Sequence, residues 1–276
     1  IQPIESGWQN YMLGVIHELQ KIGAKFTGFD CDFGGNVPIG SGMSSSASLE
    51  CSLAFALNEL FELGFDKWQL IKAAQMAEHN FVGIKCGIMD QYASMFGKKD
   101  TAILLDCESM KAKTIKLDLK DYSLLLINTN VKHSLAESAY NERRNICENV
   151  ASQLGSSSLR HTSLDQLDNI KKSLNETEYQ KALYVIQENN RVLEAYEAIS
   201  KNNIIKLGKL LFESHEGLKN QYEVSCKELD FLVDYVISQQ LKRFRKEKWR
   251  FNSWGKAQQF DSRARCAVCN RLKDES

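Results

Sequence analysis

The sequence has no apolar run of the roughly 18 residues that a membrane-spanning helix needs, and its first residues hold no basic stretch followed by an apolar one. Neither a membrane-spanning nor a secreted reading is supported. Net charge is absent too: 35 Lys and Arg balance 35 Asp and Glu, so no whole-chain basic field gathers nucleic acid. There is no G-x-x-x-x-G-K-[ST], which excludes a P-loop as the nucleotide-binding scheme. The 8 cysteines are scattered, mostly among apolar neighbours, as reduced core thiols are in cytosolic proteins. The one C-x-x-C, Cys266 to Cys269, has neither a second pair nor a histidine to complete a zinc site. What remains is globular composition: 276 residues, 43% hydrophobic and 25% charged, enough for one large domain or two modest ones. A cytoplasmic protein is expected. The charge balance hides an asymmetry, since residues 242–276 carry 11 basic residues against 4 acidic ones.

Hydrophobic periodicity orders the rest. Trp8, Tyr11, Met12, Val15, Ile16 and Leu19 fall on one helical face. Phe26 to Phe33 reads as a strand. A glycine-rich loop, Gly34 to Met43, runs into an Ala- and Leu-rich helix over 44–60. Helices are expected at 68–80 and 87–96, then strands at 101–106, 113–117 and 122–128. Helices follow at 136–151, 178–199, 204–215 and 227–240. Strands crowd the first half and helices the second, which gives an α+β fold of two lobes.

The loop Pro38-Ile39-Gly40-Ser41-Gly42-Met43-Ser44-Ser45-Ser46-Ala47 joins a strand to a helix. Gly40 and Gly42 permit positive φ and close approach of the backbone to a ligand. The free amides at the helix start suit an anion, and the serine hydroxyls can reach phosphate oxygens or a metal ion. A glycine turn followed by a serine cap accounts for the same residues. Asp90 could be a helix cap, and Glu78 an exposed helix glutamate. Glycine and two large apolar residues precede Asp90, however, which turns its carboxylate toward a confined cleft.

The run Gly34 to Ala47 closely resembles the second motif of the GHMP kinases in its galactokinase form. Ala77 to Gln91, and the run Asn128 to Arg144 with its Val131-Lys132-His133-Ser134-Leu135 core, resemble further segments of that family. The resemblance covers residues 8–240. It implies a two-lobed GHMP kinase fold, with a mixed sheet and helices in the N-terminal lobe and a largely helical second lobe. The implied boundaries are 1–118 for a partial ATP-binding N-terminal domain, 119–240 for a partial C-terminal domain, and 241–276 for an atypical basic tail. It implies ATP and magnesium (Mg2+) as cofactors, and transfer of phosphate from ATP to the C1 hydroxyl of galactose. Phosphates fall to Pro38, Gly40, Ser41, Gly42, Met43, Ser44, Ser45, Ser46 and Ala47, and magnesium to Ser45 and Glu78. Catalysis falls to Asp90, and the sugar to Gly87, Asp90 and Tyr140. Lys132 stands where the family has arginine, and Ala139 where it has glutamate.

The family's opening Arg-Asn-Leu-Ile-Gly-Glu-His-type segment and its late glycine-rich loop have no match here. The tail reads as a frameshifted or truncated end of the reading frame, and residues 1–276 alone are expected to transfer phosphate poorly or not at all. A non-catalytic sugar and ATP sensor, or another GHMP kinase acting on N-acetylgalactosamine or a mevalonate-type substrate, are the competing readings. The expected partners are galactose and ATP, with no nucleic acid or membrane, in a monomer.

Overall fold

A computed structural model of the chain describes residues 1–5, 7–39, 42–120, 122, 125–129, 131, 136–242 and 265–269; for 136–140, 239–242 and 265–269 it describes only the backbone. Helices α1 (Gln9–Lys21), α2 (Ser45–Leu60) and α3 (Lys67–Ala77) form the first layer. Each contributes an apolar stripe at helical spacing: Val15 and Leu19, then Leu53, Ala54 and Leu57, then Leu70 and Ala77, all buried. Asp66 caps α3 through a capping box with Gln69.

The strand expected at 26–33 forms no ladder among the described residues. Its alternating aromatics are used by the helices instead. Phe26 and Phe29 pack on each other and on Phe61, and Phe33 meets Trp8 edge-on. A period-two pattern records which side chains are buried; a strand also needs a partner to bond with. Of the strand expected at 122–128, residues 123 and 124 lie outside the described residues and the others form no ladder.

After a short helix α4 (Met89–Phe96), β1 (Thr101–Asp106) and β2 (Lys111–Lys116) pair antiparallel, with Thr101 opposite Lys116 and Asp106 opposite Lys111. A third strand, β3 (Arg265–Cys269), pairs antiparallel with the other side of β1, in the order β2-β1-β3. Both faces of β1 are covered. Ile103 and Leu105 meet Ile71, Ala74, Ile88 and Tyr92. Ala102, on the opposite face, meets Leu117, Val192 and Ile199. The outer strand β2 is mostly exposed and carries Lys111, Lys113 and Lys116, charges that discourage further pairing.

The second half is helical: α5 (Ala136–Gln153), α6 (Leu164–Asn169), α7 (Glu176–Ser200), α8 (Ile204–Asn220) and α9 (Lys227–Lys242). Val150, Leu159, Leu167, Tyr179, Ala182, Val185, Leu218 and Tyr222 make its core. α7 also packs on the sheet through Val192 and Ile199, so it joins the two halves. The mixed helix and small sheet agree with the α+β expectation. Cys51, Cys86 and Cys107 are buried free thiols, as the sequence suggested. Among the described residues no helix is long and apolar enough to cross a membrane.

One contact sets the spacing of α1 and α3. A Cβ on Gly14 would stand 2.7 Å from the Ala77 Cβ and 2.9 Å from its Cα. The obstacle includes backbone, so the helices themselves must part. Overpacking costs about 1–3 kcal/mol and alanine returns at most about 1 kcal/mol of helix propensity. Gly14→Ala should therefore lower the melting temperature by a few degrees, read by calorimetry; a raised midpoint would show that α1 and α3 separate freely.

Candidate active site

The start of α2 does not use the ordinary cap. Gly42 has φ +78° and Ser44 φ +53°, a left-handed conformation that costs a non-glycine residue about 1–3 kcal/mol. Ser44 makes no side-chain cap hydrogen bond. The serine-cap alternative left open by the sequence is thus not realised, and the first-turn amides keep their capacity for an anion. Gly40 and Ser41 lie outside the described residues. Ser45 and Ser46 are half-buried at the helix start, Ala47 is buried behind them, and Pro38 is exposed on the approach.

One turn into α2, the helix meets an acidic cluster. Glu50 is fully buried, Glu78 is 4% exposed and Gln91 is 1% exposed. The Gln91 Nε2 amide donates to Glu50 Oε2 at 3.4 Å and to Glu78 Oε1 at 3.3 Å. The Ser46 hydroxyl, four residues before Glu50 on the same face, hydrogen-bonds Glu78. Glu78 begins a π-helical turn, Glu78–Val82, that widens the end of α3, a distortion frequent at functional sites.

Burial pushes the Glu78 carboxyl well above its ordinary value, and the negative charge of Asp90 pushes it further. Burial pushes Glu50 up as well, reinforced by the charge of Glu78. Two carboxylates this close and this dry do not both ionise easily. The pair therefore retains a proton at a pH where a surface glutamate has none. One oxygen of Glu50 and the side-chain oxygen of Gln91 are buried without a hydrogen-bond partner.

Asp90 lies half-buried in the first turn of α4, beside Gln91. The segment before it, 83–88, holds Gly87 and leaves the π-turn through Gly83 at φ +84°. Gln75 Nε2 donates to the Cys86 carbonyl at 3.1 Å, and His79 Nε2 donates to the same oxygen at 2.8 Å. Tyr140 falls on α5, and its side chain lies outside the described residues.

The structure thus brings Ser46, Glu50, Glu78, Asp90 and Gln91 to the junction of α2, α3 and α4. Glu50 and Gln91 were not singled out from sequence. A signal existed for Glu50: it lies three residues after Ala47 and four before Ala54, on the apolar face of its helix.

Residues 10–98 match the family model for the GHMP kinases N terminal domain. The chain is 43% identical over 229 residues to a galactokinase of Thermotoga petrophila, covering 83% of this chain and 64% of that protein. It is 45% identical over 238 residues to a galactokinase of Clostridium tetani, covering 84% and 61%. The chain is thus similar to the GHMP kinases over residues 10–98 and to galactokinases over most of its length. Among solved structures, this chain is similar to a Lactococcus lactis galactokinase complexed with galactose, with a TM-score of 0.76, 35% identity, and coverage of 86% of this chain and 63% of that one. It spans just under two thirds of the length of the relatives it matches.

The acidic cluster fits a magnesium ion. Among the described residues no three His, Cys, Asp or Glu side chains form a complete metal cage. Magnesium does not require one, because it keeps waters and substrate phosphates and takes one or two carboxylates. Glu78 supplies a carboxylate with a serine hydroxyl beside it, and the orphaned Glu50 oxygen marks unspent acceptor capacity nearby.

The raised carboxyls have a consequence without metal. Above the ordinary carboxylate range the folded pair holds protons that the unfolded chain releases, so its contribution to stability is lost as pH rises through neutrality. Glu50→Gln removes one of the two charges. In a chelator, the variant's melting temperature should drop less between about pH 6 and about pH 9 than the parent's; an equal or steeper drop would contradict the assignment.

Proposed function

We propose that this chain carries the catalytic core of an ATP-dependent sugar kinase that phosphorylates galactose at its C1 hydroxyl. The observation that carries the reading is the placement of Asp90 beside the buried Glu78, opposite the uncapped start of α2. The similarity to a galactokinase solved with galactose supports the choice of sugar.

Residues 1–118 are read as the ATP-binding lobe and 119–240 as the second lobe of a monomeric, cytoplasmic protein. In this reading Pro38, Gly40, Ser41, Gly42, Met43, Ser44, Ser45, Ser46 and Ala47 wrap the phosphates of ATP. The left-handed turns at Gly42 and Ser44 aim successive backbone amides at them. Glu78 and Ser45, with Ser46 adjacent, hold magnesium. When bound, magnesium neutralises charge on the phosphate oxygens.

Asp90 accepts the hydrogen bond of the C1 hydroxyl and takes its proton as the oxygen attacks the γ-phosphorus. The bond from the γ-phosphorus to the oxygen that bridges it to the β-phosphate breaks as the new C1–O–P linkage forms, and ADP leaves with that electron pair. The Gly87 backbone and the Tyr140 hydroxyl hold the sugar. Because phosphoryl transfer leaves little covalent work to the protein, orientation by these groups is the main contribution.

Removing the carboxylate charge at Asp90 while keeping its shape isolates that role. In a version extended to the full length of its relatives, Asp90→Asn should reduce galactose-dependent ADP release about 10²- to 10⁴-fold while ATP affinity, by calorimetry, stays within a few-fold. Turnover equal to the parent's would remove Asp90 from the mechanism.

A further inference from the structure

Segment 83–88 leads into Asp90 and contains Gly87, yet no helix or ladder spans it. Buried Ile88 and Cys86 seat its end in the core, and side chains that reach its carbonyls hold the rest. Gln75 and His79 belong to the helix and π-turn from which the segment continues, so they fold its beginning locally. Two other ties come from far along the sequence. Arg144 Nη1 donates to the Lys85 carbonyl at 3.0 Å, and Asn141 Nδ2 donates to the Gly83 carbonyl at 3.4 Å. Both residues are on α5. Glu148, one turn later, accepts from Arg144 Nε at 2.8 Å and so fixes the direction of the guanidinium.

α5 is itself held on a second side. Arg143 Nε donates to the Tyr222 carbonyl at 2.9 Å, and its Nη2 to the Glu223 carbonyl. The far end of α5 is seated in the helical core by Val150 and Ala151. The helix therefore spans from the core of the second half to the segment that precedes Asp90. Tyr140 immediately precedes Asn141 on it.

We infer that Arg144, assisted by Asn141 and aimed by Glu148, is a positioning residue that sets the Gly87–Asp90 segment in register with the sugar-holding end of α5. This rests on the galactose kinase reading for its purpose but not for its geometry. Neither residue touches the reacting atoms. The ion pair with Glu148 is half-exposed and worth little as stability, which makes a role in fixing direction the better account of the arrangement.

The test uses the whole chain with Arg144→Met, Arg144→Lys and Glu148→Gln. Without ligand, amide exchange across 84–90 should quicken about tenfold in Arg144→Met while that of α8 stays as in the parent. Arg144→Lys, which can still donate to the Lys85 carbonyl, should restore most of the protection, and Glu148→Gln should fall between. In turnover, Arg144→Met should lower kcat about 10- to 100-fold with KM for ATP within about twofold. Unchanged exchange at 84–90, or loosening spread equally over α8, overturns the inference. Turnover is read in a version extended to the full length of the relatives; if that parent transfers nothing to galactose, the kinase reading fails, while localised loosening with lysine rescue would still uphold the positioning role, and its absence would still overturn it.

Discussion

Two carboxylates buried side by side, Glu50 and Glu78, constrain the first half of this chain more than any apolar contact does. Each sits where water cannot solvate its charge, and an ion pair of like sign in a dry place is repelled rather than repaid. The fold tolerates them in three ways. The Gln91 amide divides its hydrogen bonds between them, the Ser46 hydroxyl reaches Glu78, and the pair keeps a proton. An unsatisfied buried acceptor costs about 1–3 kcal/mol, and Glu50 retains one. Well-packed apolar residues in these places would give a more stable protein. Local rules of folding are broken where a site needs them broken.

The surrounding elements follow from that junction. α2 presents Ser46 and Glu50 on successive turns of one face. The π-turn at the end of α3 presents Glu78, and α4 starts so that Asp90 and Gln91 face the same region. None of the three helices could shift by a turn without separating these groups. Behind them, Ile103 and Leu105 of β1 supply an apolar floor shared with α3 and α4. The other face of β1 packs on α7, so the sheet transmits the position of the helical half to the site.

Much of this was legible in the residues. The longer helices were read within a few positions because their apolar stripes recur at 3.6, the short α6 was not read, and β1 was read because it alternates and is bounded by turns. Asp90 and Glu78 were singled out through the motifs around them, and both stand at the junction of α2, α3 and α4. The strand expected at 26–33 forms no ladder among the described residues, because its aromatics alternate for the sake of Phe61 and Trp8. Ser44 was open to reading as a cap, and only backbone angles distinguish a capping serine from a left-handed one. Glu50 and Gln91 escaped because a glutamate inside an Ala- and Leu-rich helix reads as solvated until its face is worked out. The ties from Asn141 and Arg144 span 58 and 59 residues, a separation that no local pattern records.

In the proposed site the buried Glu50–Glu78 pair keeps a proton without metal, and magnesium bound at Glu78 would displace it. Titrating magnesium into the chain by calorimetry at about pH 7, in two buffers of different ionisation enthalpy, tests it directly. The heat should depend on the buffer, because the ion displaces a proton from the buried pair, and Glu78→Gln should abolish both that dependence and the binding. Binding whose heat is the same in both buffers, or that survives Glu78→Gln unchanged, would contradict it.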